Sequence, residues 1–241
     1  MKLIRLMAVG LLMGSAPTMI LAQDGAPTEP RYIDFRIQMV KSDRLDEWES
    51  LRKEISDNAR ASGLEFYYVF QRVRGPASGF VIVSPAGSIG EPGAPFDEPP
   101  AFPVSDNWLN GMQSILDSQS LVTLQTYPDL STIAMGPMHP TENFAHFRIR
   151  TAAVGRSADF EAWLRDDLIP GLKEAGAGDV RNARVVLGGS PRTWVTVSFV
   201  PGWPEPAVDL DPRIIARVDD LVATQLDYFY SFREDLSFTA D

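Results

Sequence analysis

The sequence contains no cysteine and has two histidines among 241 residues. The absence of cysteine excludes disulfide bonds, thiolate nucleophiles, cysteine-ligated zinc and iron–sulfur clusters. Two histidines are too few for a metal site built from several imidazoles, so we expect no metal site. Basic residues are also scarce, with 22 Lys and Arg against 32 Asp and Glu, and the net charge is -10. Because nucleic-acid-binding proteins need a basic surface, we expect no nucleic-acid partner.

The first residues have the pattern of a secretory signal peptide. Lys2 and Arg5 precede an apolar stretch over residues 6–22, and a short apolar run between a positive start and a small residue is typical of such signals. We predict a signal peptide over 1–22 and a periplasmic or secreted mature protein without membrane association. An uncleaved anchor is the alternative, which the shortness of the stretch and Pro17 disfavour.

Short motifs recur in the same order in the two halves of the chain. They are Phe35-Arg36-Ile37-Gln38 with Phe147-Arg148-Ile149-Arg150, Trp48 with Trp163, and Asp129-Leu130-Ser131 with Asp235-Leu236-Ser237. Three matches in one order predict an internal duplication. The predicted divisions are an N-terminal segment over 23–31, a first unit over 32–131, a linker over 132–143, a second unit over 144–237 and a tail over 238–241.

Hydrophobic periodicity alternates between that of strands and that of helices within each unit. In the first unit the pattern predicts strands over 32–39, 65–72, 79–84 and 121–126, with helices over 43–63 and 108–117. Asp43 and Gly63 are the expected caps of the first helix. In the second unit it predicts strands over 145–150, 180–187, 194–199 and 228–232. A helix that Pro170 kinks follows residue 157, and another starts at Asp211 and extends to Val222.

Both units therefore have the order strand–helix–strand–strand–helix–strand, which is the ferredoxin-like order. Helices cover one face of such a sheet, and the other face needs a partner that the second unit supplies. We predict an α+β fold in which two tandem ferredoxin-like units pack sheet to sheet as an internal barrel.

The Phe-Arg-Ile strands, the tryptophan of the first helix and the closing Asp-Leu-Ser resemble the dimeric α+β barrel superfamily. The resemblance is to NIPSNAP-like members and next to antibiotic-biosynthesis-monooxygenase-like members, and it covers about residues 32–237. It implies that both halves of the barrel are fused in one chain. The protein would then be a monomer by internal duplication, or a higher oligomer of that unit.

Polar residues of the first strand in each unit are the main candidates for a site. If the apolar residues of these strands face the helices, the polar ones point toward the opposing sheet and meet in the barrel lumen. These residues are Asp34, Arg36 and Gln38 in the first unit and His146, Arg148 and Arg150 in the second. Buried charges must be paired, so they form either a salt-bridge network that joins the halves or a pocket for a polar ligand.

In the pocket hypothesis, Arg36 and Arg148 hold an anionic or carbonyl group, and His146 acts as acid or base near pH 7. His146 and Arg148 are then the candidate catalytic residues. The remaining candidates for ligand binding are Asp34, Gln38, Arg150, Tyr68 and Trp194. Strand aromatics such as Tyr68 and Trp194 are more often core residues than site residues.

These observations favour an exported protein that binds a small organic molecule in the barrel. A cofactor-independent monooxygenase or isomerase that uses His146 and Arg148 is the alternative, and an envelope protein-interaction module without pocket chemistry is a second one. We expect no cofactor. The resemblance implies haem as an alternative, because several relatives bind it through a histidine. His146 is the only histidine on a predicted strand and is therefore the only candidate axial ligand. Copper at His139, which follows Met135 and Met138 in the linker, is a further alternative to a plain linker.

Overall fold

The computed structural model of the protein describes residues 32–75, 78–86, 106–132, 143–202 and 210–240, with backbone only for 106–110. The predicted signal peptide and His139 lie outside the described residues. Within these ranges no helix is both long enough and apolar enough to cross a membrane.

The first unit contains strands β1 (Tyr32–Val40), β2 (Phe66–Arg72), β3 (Gly79–Pro85) and β4 (Leu116–Thr126), and helices α1 (Leu45–Ala61) and α2 (Asp106–Ile115). Asp43 does not cap α1, because it lies in a tight 3₁₀ turn that precedes the helix, and no side chain caps the start of α1. Gly63 follows α1 with φ of 82°, and this left-handed conformation ends the helix as predicted.

The second unit contains strands β5 (Phe144–Ala152), β6 (Val180–Leu187), β7 (Thr193–Val200) and β8 (Val222–Phe232), and helices α3 (Ser157–Trp163), α4 (Ile169–Glu174) and α5 (Pro212–Asp219). The side chain of Asp211 accepts a hydrogen bond from the Arg213 amide at 2.9 Å, which confirms the predicted N-cap of α5. Because α5 ends at Asp219, Val222 opens β8 rather than closing a helix as predicted.

A π-helical turn, Leu164–Leu168, joins α3 to α4, and in it the Ile169 amide donates to the Leu164 carbonyl. Pro170 follows directly. Its ring would clash with the carbonyl four residues earlier in a regular α-helix, so the wider turn makes room for it. The helix is therefore irregular before Pro170, as predicted, and the irregularity is a π-helical turn that contains one extra residue.

The first eight strands close into an antiparallel barrel, since each pairs with two neighbours. Each unit supplies four strands, in the orders β4-β1-β3-β2 and β8-β5-β7-β6, and the units join where β4 pairs with β6 and β2 with β8. This order confirms the predicted fold class. A short ninth strand, β9 (Phe238–Thr239), adds to the edge of β2.

Most of the barrel interior is apolar, which is the reverse of the predicted orientation of the first strands. Phe35 and Phe147 face the lumen and meet with their ring centroids 5.7 Å apart. Eight strands enclose the lumen on all sides, so inward positions need apolar side chains. The helices cover only part of the outer surface, and polar residues there can reach solvent at the helix edges. Asp34, Arg36, Gln38, His146, Arg148 and Arg150 therefore point outward, and their predicted convergence in the lumen is wrong.

Candidate functional site

The outward side chains of β5 and β8 form a polar surface that we call the β5–β8 strip, made of His146, Arg148, Arg150, Gln225 and Asp227. The register of the two strands places Arg148 opposite Asp227 and Arg150 opposite Gln225. Because alternate residues of a strand share a face, these five side chains lie side by side. The structure thus brings together three of the predicted site residues and adds two that were not predicted.

Asp227 is the central acceptor of the strip. Arg148 Nε donates to its carboxylate at 2.7 Å, and Gln225 Nε2 donates at 2.9 Å. Burial by itself raises the pKa of Asp227, but the hydrogen bonds and the charge of Arg148 outweigh it, and the pKa lies below its ordinary value. Asp227 is therefore ionised at neutral pH and neutralises one of the two arginines.

His146 lies behind this carboxylate and is 4% exposed. Its Nε2 is 2.7 Å from Asp227 Oδ1, and its ring stacks on Phe229 with a centroid distance of 4.1 Å. These contacts fix the imidazole against β8 and leave the carboxylate between it and Arg148. The acid or base role predicted for His146 stays a prediction.

Arg150 lies deepest in the strip and is 6% exposed. Its Nε donates to Gln225 Oε1 at 2.8 Å, and its guanidinium carbon is 5.4 Å from the centroid of the Trp163 ring. Its Nη1 is buried and has no acceptor among the described residues. Burial, and next the positive charge of Arg148, lower the pKa of Arg150 to about 9, although Asp227 opposes the change.

The strip therefore carries two guanidinium groups and one carboxylate, and the Nη1 of Arg150, its most buried cation, lacks an acceptor among the described residues. Buried polar groups normally have a hydrogen-bond partner, and an exception calls for an explanation. A group that brings an oxygen acceptor to Arg150 would satisfy both the missing hydrogen bond and the missing charge.

The matching place in the first unit is completed by the protein itself. Gln38 takes the position of Arg150, and its Oε1 accepts from Trp48 Nε1 at 2.9 Å and from Arg52 Nη2 at 2.7 Å. Arg52 also donates to the Tyr67 hydroxyl at 2.7 Å. Arg52 is fully buried, and burial lowers its pKa. The helix of the first unit thus supplies the polar group that the second unit lacks.

The π-helical turn explains why the second unit has no counterpart of Arg52. Trp48 and Trp163 occupy the same place and differ by 163 − 48 = 115 in number. Beyond the inserted residue the difference becomes 116, and 52 + 116 = 168 places the buried, apolar Leu168 in the position of Arg52. The second unit therefore has no helix side chain that could donate to or accept from the strip at this position.

The other predicted residues lie apart from the strip. Asp34 accepts from Thr123 Oγ1 at 2.7 Å on the outer face of β1. Nearby, Arg36 has a buried Nε without an acceptor in the described part of the chain. Tyr68 faces the lumen, and its hydroxyl is 3.0 Å from Thr239 Oγ1. Trp194 is buried under α3, 6.0 Å from Phe160 between ring centroids.

The described residues of the lumen line a small cavity of about 20 Å³, which suits about one water molecule. Its lining residues are Ile33, Phe35, Leu124, Thr126, Arg181, Asn182, Ala183, Val195 and Val197. In the described ranges no three His, Asp or Glu side chains are placed to hold a metal ion.

Asp227, Gln225, Trp163 and Arg52 were missed as site residues. A signal for Asp227 was present, because it lies one residue before the predicted start of the last strand. Extending that strand toward the helix would have placed Asp227 opposite Arg148. Arg52 also carried a signal, since it follows Trp48 by four residues on the apolar face of α1.

Solved structures share this fold, whereas no protein-family model and no curated protein matches the chain. An anthrone oxidase-like protein matches with a TM-score of 0.59 and 10% identity over 87% of this chain and 93% of its own. A protein described as a monooxygenase from Lactobacillus acidophilus NCFM matches with a TM-score of 0.54 and 10% identity over 88% of this chain and 100% of its own. At these identities the similarity shows an α+β barrel of the ferredoxin-like kind.

The prediction that the chain takes no cofactor is contradicted by the same comparisons. A chlorite dismutase-type protein, TA0507, matches with a TM-score of 0.50 and 11% identity over 86% of this chain and 96% of its own. A mutant of the chlorite dismutase from Candidatus Nitrospira defluvii, which is a haem-dependent type of protein, matches with a TM-score of 0.51 and 7% identity over 88% of this chain and 96% of its own. A cofactor therefore belongs among the groups to be tested.

Haem does not fit at His146, the only histidine in the described ranges. An axial ligand needs a ring nitrogen directed into an open space, whereas His146 Nε2 is held by Asp227 and the ring lies against Phe229. The lumen on the other side of β5 is filled by aromatic side chains such as Phe70 and Phe147, whose ring centroids are 5.4 Å apart. The haem ligation predicted as an alternative for His146 is thus not supported by its surroundings.

Proposed function

We propose that this protein binds a small organic molecule through a carboxylate, phenolate or enolate oxygen at the β5–β8 strip. The observation that carries the proposal is the buried Nη1 of Arg150, which has no acceptor among the described residues. Gln225 covers Arg150 and is itself exposed, so a ligand that displaces its amide reaches the guanidinium. Arg148 lies at the solvent edge of the strip, 36% exposed, and attracts the anion first.

The binding test compares 2-naphthoate with its neutral analogue 2-naphthamide by isothermal titration calorimetry. We expect the protein to bind 2-naphthoate more tightly than the amide. Arg150→Gln should weaken 2-naphthoate binding at least about tenfold, since a charge-assisted hydrogen bond is worth ~1.5–3 kcal/mol. Arg156→Gln is the matched control, because Arg156 is an exposed arginine of the same unit that pairs with Asp159. Equal affinity in Arg150→Gln and the unchanged protein would refute the proposal.

A monooxygenase-type reaction is the second candidate, and the fold shared with monooxygenase-type and anthrone oxidase-like proteins favours it. Arg148 and Arg150 would stabilise the enolate that forms when a methylene next to a carbonyl loses a proton. In the overall reaction two C–H bonds break, one atom of dioxygen becomes a new carbonyl oxygen, and the other leaves as water. Dioxygen accepts all four electrons in this balance.

The reaction test measures dioxygen consumption with anthrone, after subtraction of its spontaneous oxidation. We expect turnover that Arg150→Gln lowers by a factor of about 100 and Arg156→Gln leaves unchanged, since removal of one oxyanion donor costs about 10²–10³ in rate. Consumption that never exceeds the spontaneous rate, or that is equal in both variants, would reject this reaction. The binding proposal would then stand or fall on its own test.

We further propose that the chain is exported and that its mature form begins at Gln23. The positive, apolar and small-residue order of residues 1–22 supports export. Intact mass measurement of the protein from periplasmic and cytoplasmic fractions tests it. A full-length chain confined to the cytoplasm would be the contrary result.

We also infer that the two units arose by duplication of one NIPSNAP-like ferredoxin-like unit. The register supports this, because Arg36 and Arg148 differ by 112 while their opposite residues, Leu121 and Asp227, differ by 106. These are the offsets at which the sequence motifs repeat. Relatives in which the two halves never align at these offsets would contradict the inference.

A further inference from the structure

One end of the barrel lumen contains a cation that belongs to no ion pair among the described residues. Arg72 is the last residue of β2 and pairs with Tyr230 of β8. Phe66, Tyr68 and Phe70 of the same strand face the lumen, and by the alternation of a strand Arg72 faces the lumen as well. Asp227 and Tyr228 are neighbours on opposite faces of β8, so this place is separated from the β5–β8 strip by the barrel wall.

Aromatic rings hold the guanidinium of Arg72. Its central carbon is 4.6 Å from the centroid of the Tyr228 ring and 5.9 Å from that of Tyr230. Its hydrogen bond to the Tyr230 hydroxyl is long, at 3.5 Å. Its Nε is buried without an acceptor among the described residues, and none of the ion pairs among them includes Arg72. The cation thus has aromatic neighbours and no anionic one in this part of the chain.

The barrel does not need this arginine in order to close. The barrel has a second junction between the units, at which β6 pairs with β4. There Val185 takes the position of Arg72, and its partner Leu124 takes the position of Tyr230. The position of Tyr228 is taken there by Val122, which also packs against the lumen core. Apolar residues therefore make the same junction, and the arginine with its two tyrosines is a specific feature of one side.

The rim beside this cation is apolar and accessible. Leu226 precedes Tyr228 by two residues on the same face of β8 and is 51% exposed. Ile149 lies opposite Leu226 and is partly buried against the lumen core. The mouths of β-barrels are common places for ligands with an apolar body and one polar group.

We propose that this end of the barrel, which we call the Arg72 mouth (Arg72, Tyr228, Tyr230 and Leu226), binds a monocarboxylate with an aromatic or aliphatic body. The carboxylate accepts hydrogen bonds from the Arg72 guanidinium. The body of the ligand lies against Leu226 and the ring of Tyr228. This site is independent of the function proposed for the β5–β8 strip.

The test uses 4-phenylbutyrate and its neutral isostere 4-phenylbutanol in titration calorimetry with the mature protein. We expect 4-phenylbutyrate to bind, 4-phenylbutanol to bind at least about tenfold more weakly, and Arg72→Gln to weaken 4-phenylbutyrate binding by a similar factor. Arg72→Lys should restore part of the affinity, because lysine keeps the charge but not the planar fork. Arg156→Gln is the matched control, since Arg156 is an exposed arginine that pairs with Asp159 at the start of α3.

Arg150→Gln separates the two sites, and it should leave 4-phenylbutyrate binding unchanged. Failure of the unchanged protein to bind 4-phenylbutyrate would overturn the inference, as would equal affinity for the alcohol. Weaker binding in Arg150→Gln but not in Arg72→Gln would assign the ligand to the strip and overturn it too. Thermal unfolding of each variant shows whether it is folded. If Arg72→Gln does not fold, the affinity of Arg72→Lys for 4-phenylbutyrate decides the test.

Discussion

Replacing Arg150 with methionine should stabilise the folded protein while it abolishes ligand binding at the β5–β8 strip. Methionine keeps an unbranched apolar chain against Trp163 and removes the buried charge. Breaking a satisfied buried contact normally destabilises a protein, whereas removing an unmatched buried charge relieves it of a desolvation cost. The sign of the change therefore distinguishes a structural arginine from one kept for a ligand.

The magnitude follows from the surroundings of Arg150. Its pKa of about 9 lies roughly three to four pH units below that of a free arginine, which at ~1.36 kcal/mol per unit corresponds to a cost of ~5 kcal/mol for the charged form. The substitution also loses the hydrogen bond to Gln225, worth ~1.5 kcal/mol, and the contact with Trp163, worth ~2 kcal/mol. The remainder is a net stabilisation of about 1–2 kcal/mol, or about 2–8 °C in Tm.

Differential scanning calorimetry and urea unfolding at pH 7 measure this difference, with Arg52→Met as the opposite control. Arg52 donates to Gln38 and Tyr67, so its loss removes one of the two donors to Gln38 Oε1 and the Arg52 donor to the buried Tyr67 hydroxyl, and should destabilise the protein by about 2–4 kcal/mol. Because the folded pKa of Arg150 is lowered, the unfolded chain binds more protons above pH 9, and the unchanged protein should gain stability there relative to Arg150→Met. Destabilisation by Arg150→Met of more than about 1 kcal/mol would refute the reasoning.

Three further outcomes test other parts of the structure. Gly188→Ala should destabilise the protein by more than about 2 kcal/mol, because Gly188 has φ of 79° and an added Cβ would lie 2.3 Å from the Leu121 carbonyl oxygen. The control is Gly178→Ala, which has open space around the added Cβ and should change the urea midpoint little. Equal effects of the two substitutions would contradict the clash at Gly188. The lowered pKa of Asp227 contributes stability above pH ~4 that is lost as the pH falls through the folded pKa. Asp227→Asn should therefore reduce the dependence of the urea midpoint on pH between pH 5 and pH 2. An unchanged pH dependence would count against the pairing of Asp227 with Arg148. Hemin titration should give the same absorbance spectrum for His146→Ala and the unchanged protein, whereas a Soret band lost only in His146→Ala would show that the imidazole does bind iron.

The order of elements could be predicted from the sequence because each strand and helix has its own hydrophobic period. Strand ends were harder to predict where the residues are polar and exposed, as at the start of β8. Gln225 and Asp227 lie there, and a polar run after a helix gives no alternation that marks a strand. As a result, the carboxylate that pairs with Arg148 was missed.

The direction in which the first strands face could not be predicted from alternation alone. The pattern around Phe35 and Phe147 separates an apolar face from a polar one, but it does not tell which face lies inside. The answer depends on closure of the barrel, which is a long-range property of β4 with β6 and β2 with β8. His146, Arg148 and Arg150 were thus identified as neighbours correctly and placed on the wrong side of the sheet.

The comparison between the two units shows which charges the fold can do without. Gln38 and Arg150 occupy equivalent outer positions, and Val185 and Arg72 occupy equivalent lumen positions, yet both units have the same strand order and the same register. A guanidinium that is buried or partly buried without an anionic partner costs free energy. The first unit avoids that cost with Gln38 at the position of Arg150, and the second unit avoids it with Val185 at the position of Arg72. Because neither arginine is required for its half of the barrel to form, stability does not account for them. Local departures of this kind are expected at functional sites, so Arg150 and Arg72 are the two residues at which ligands should be sought first.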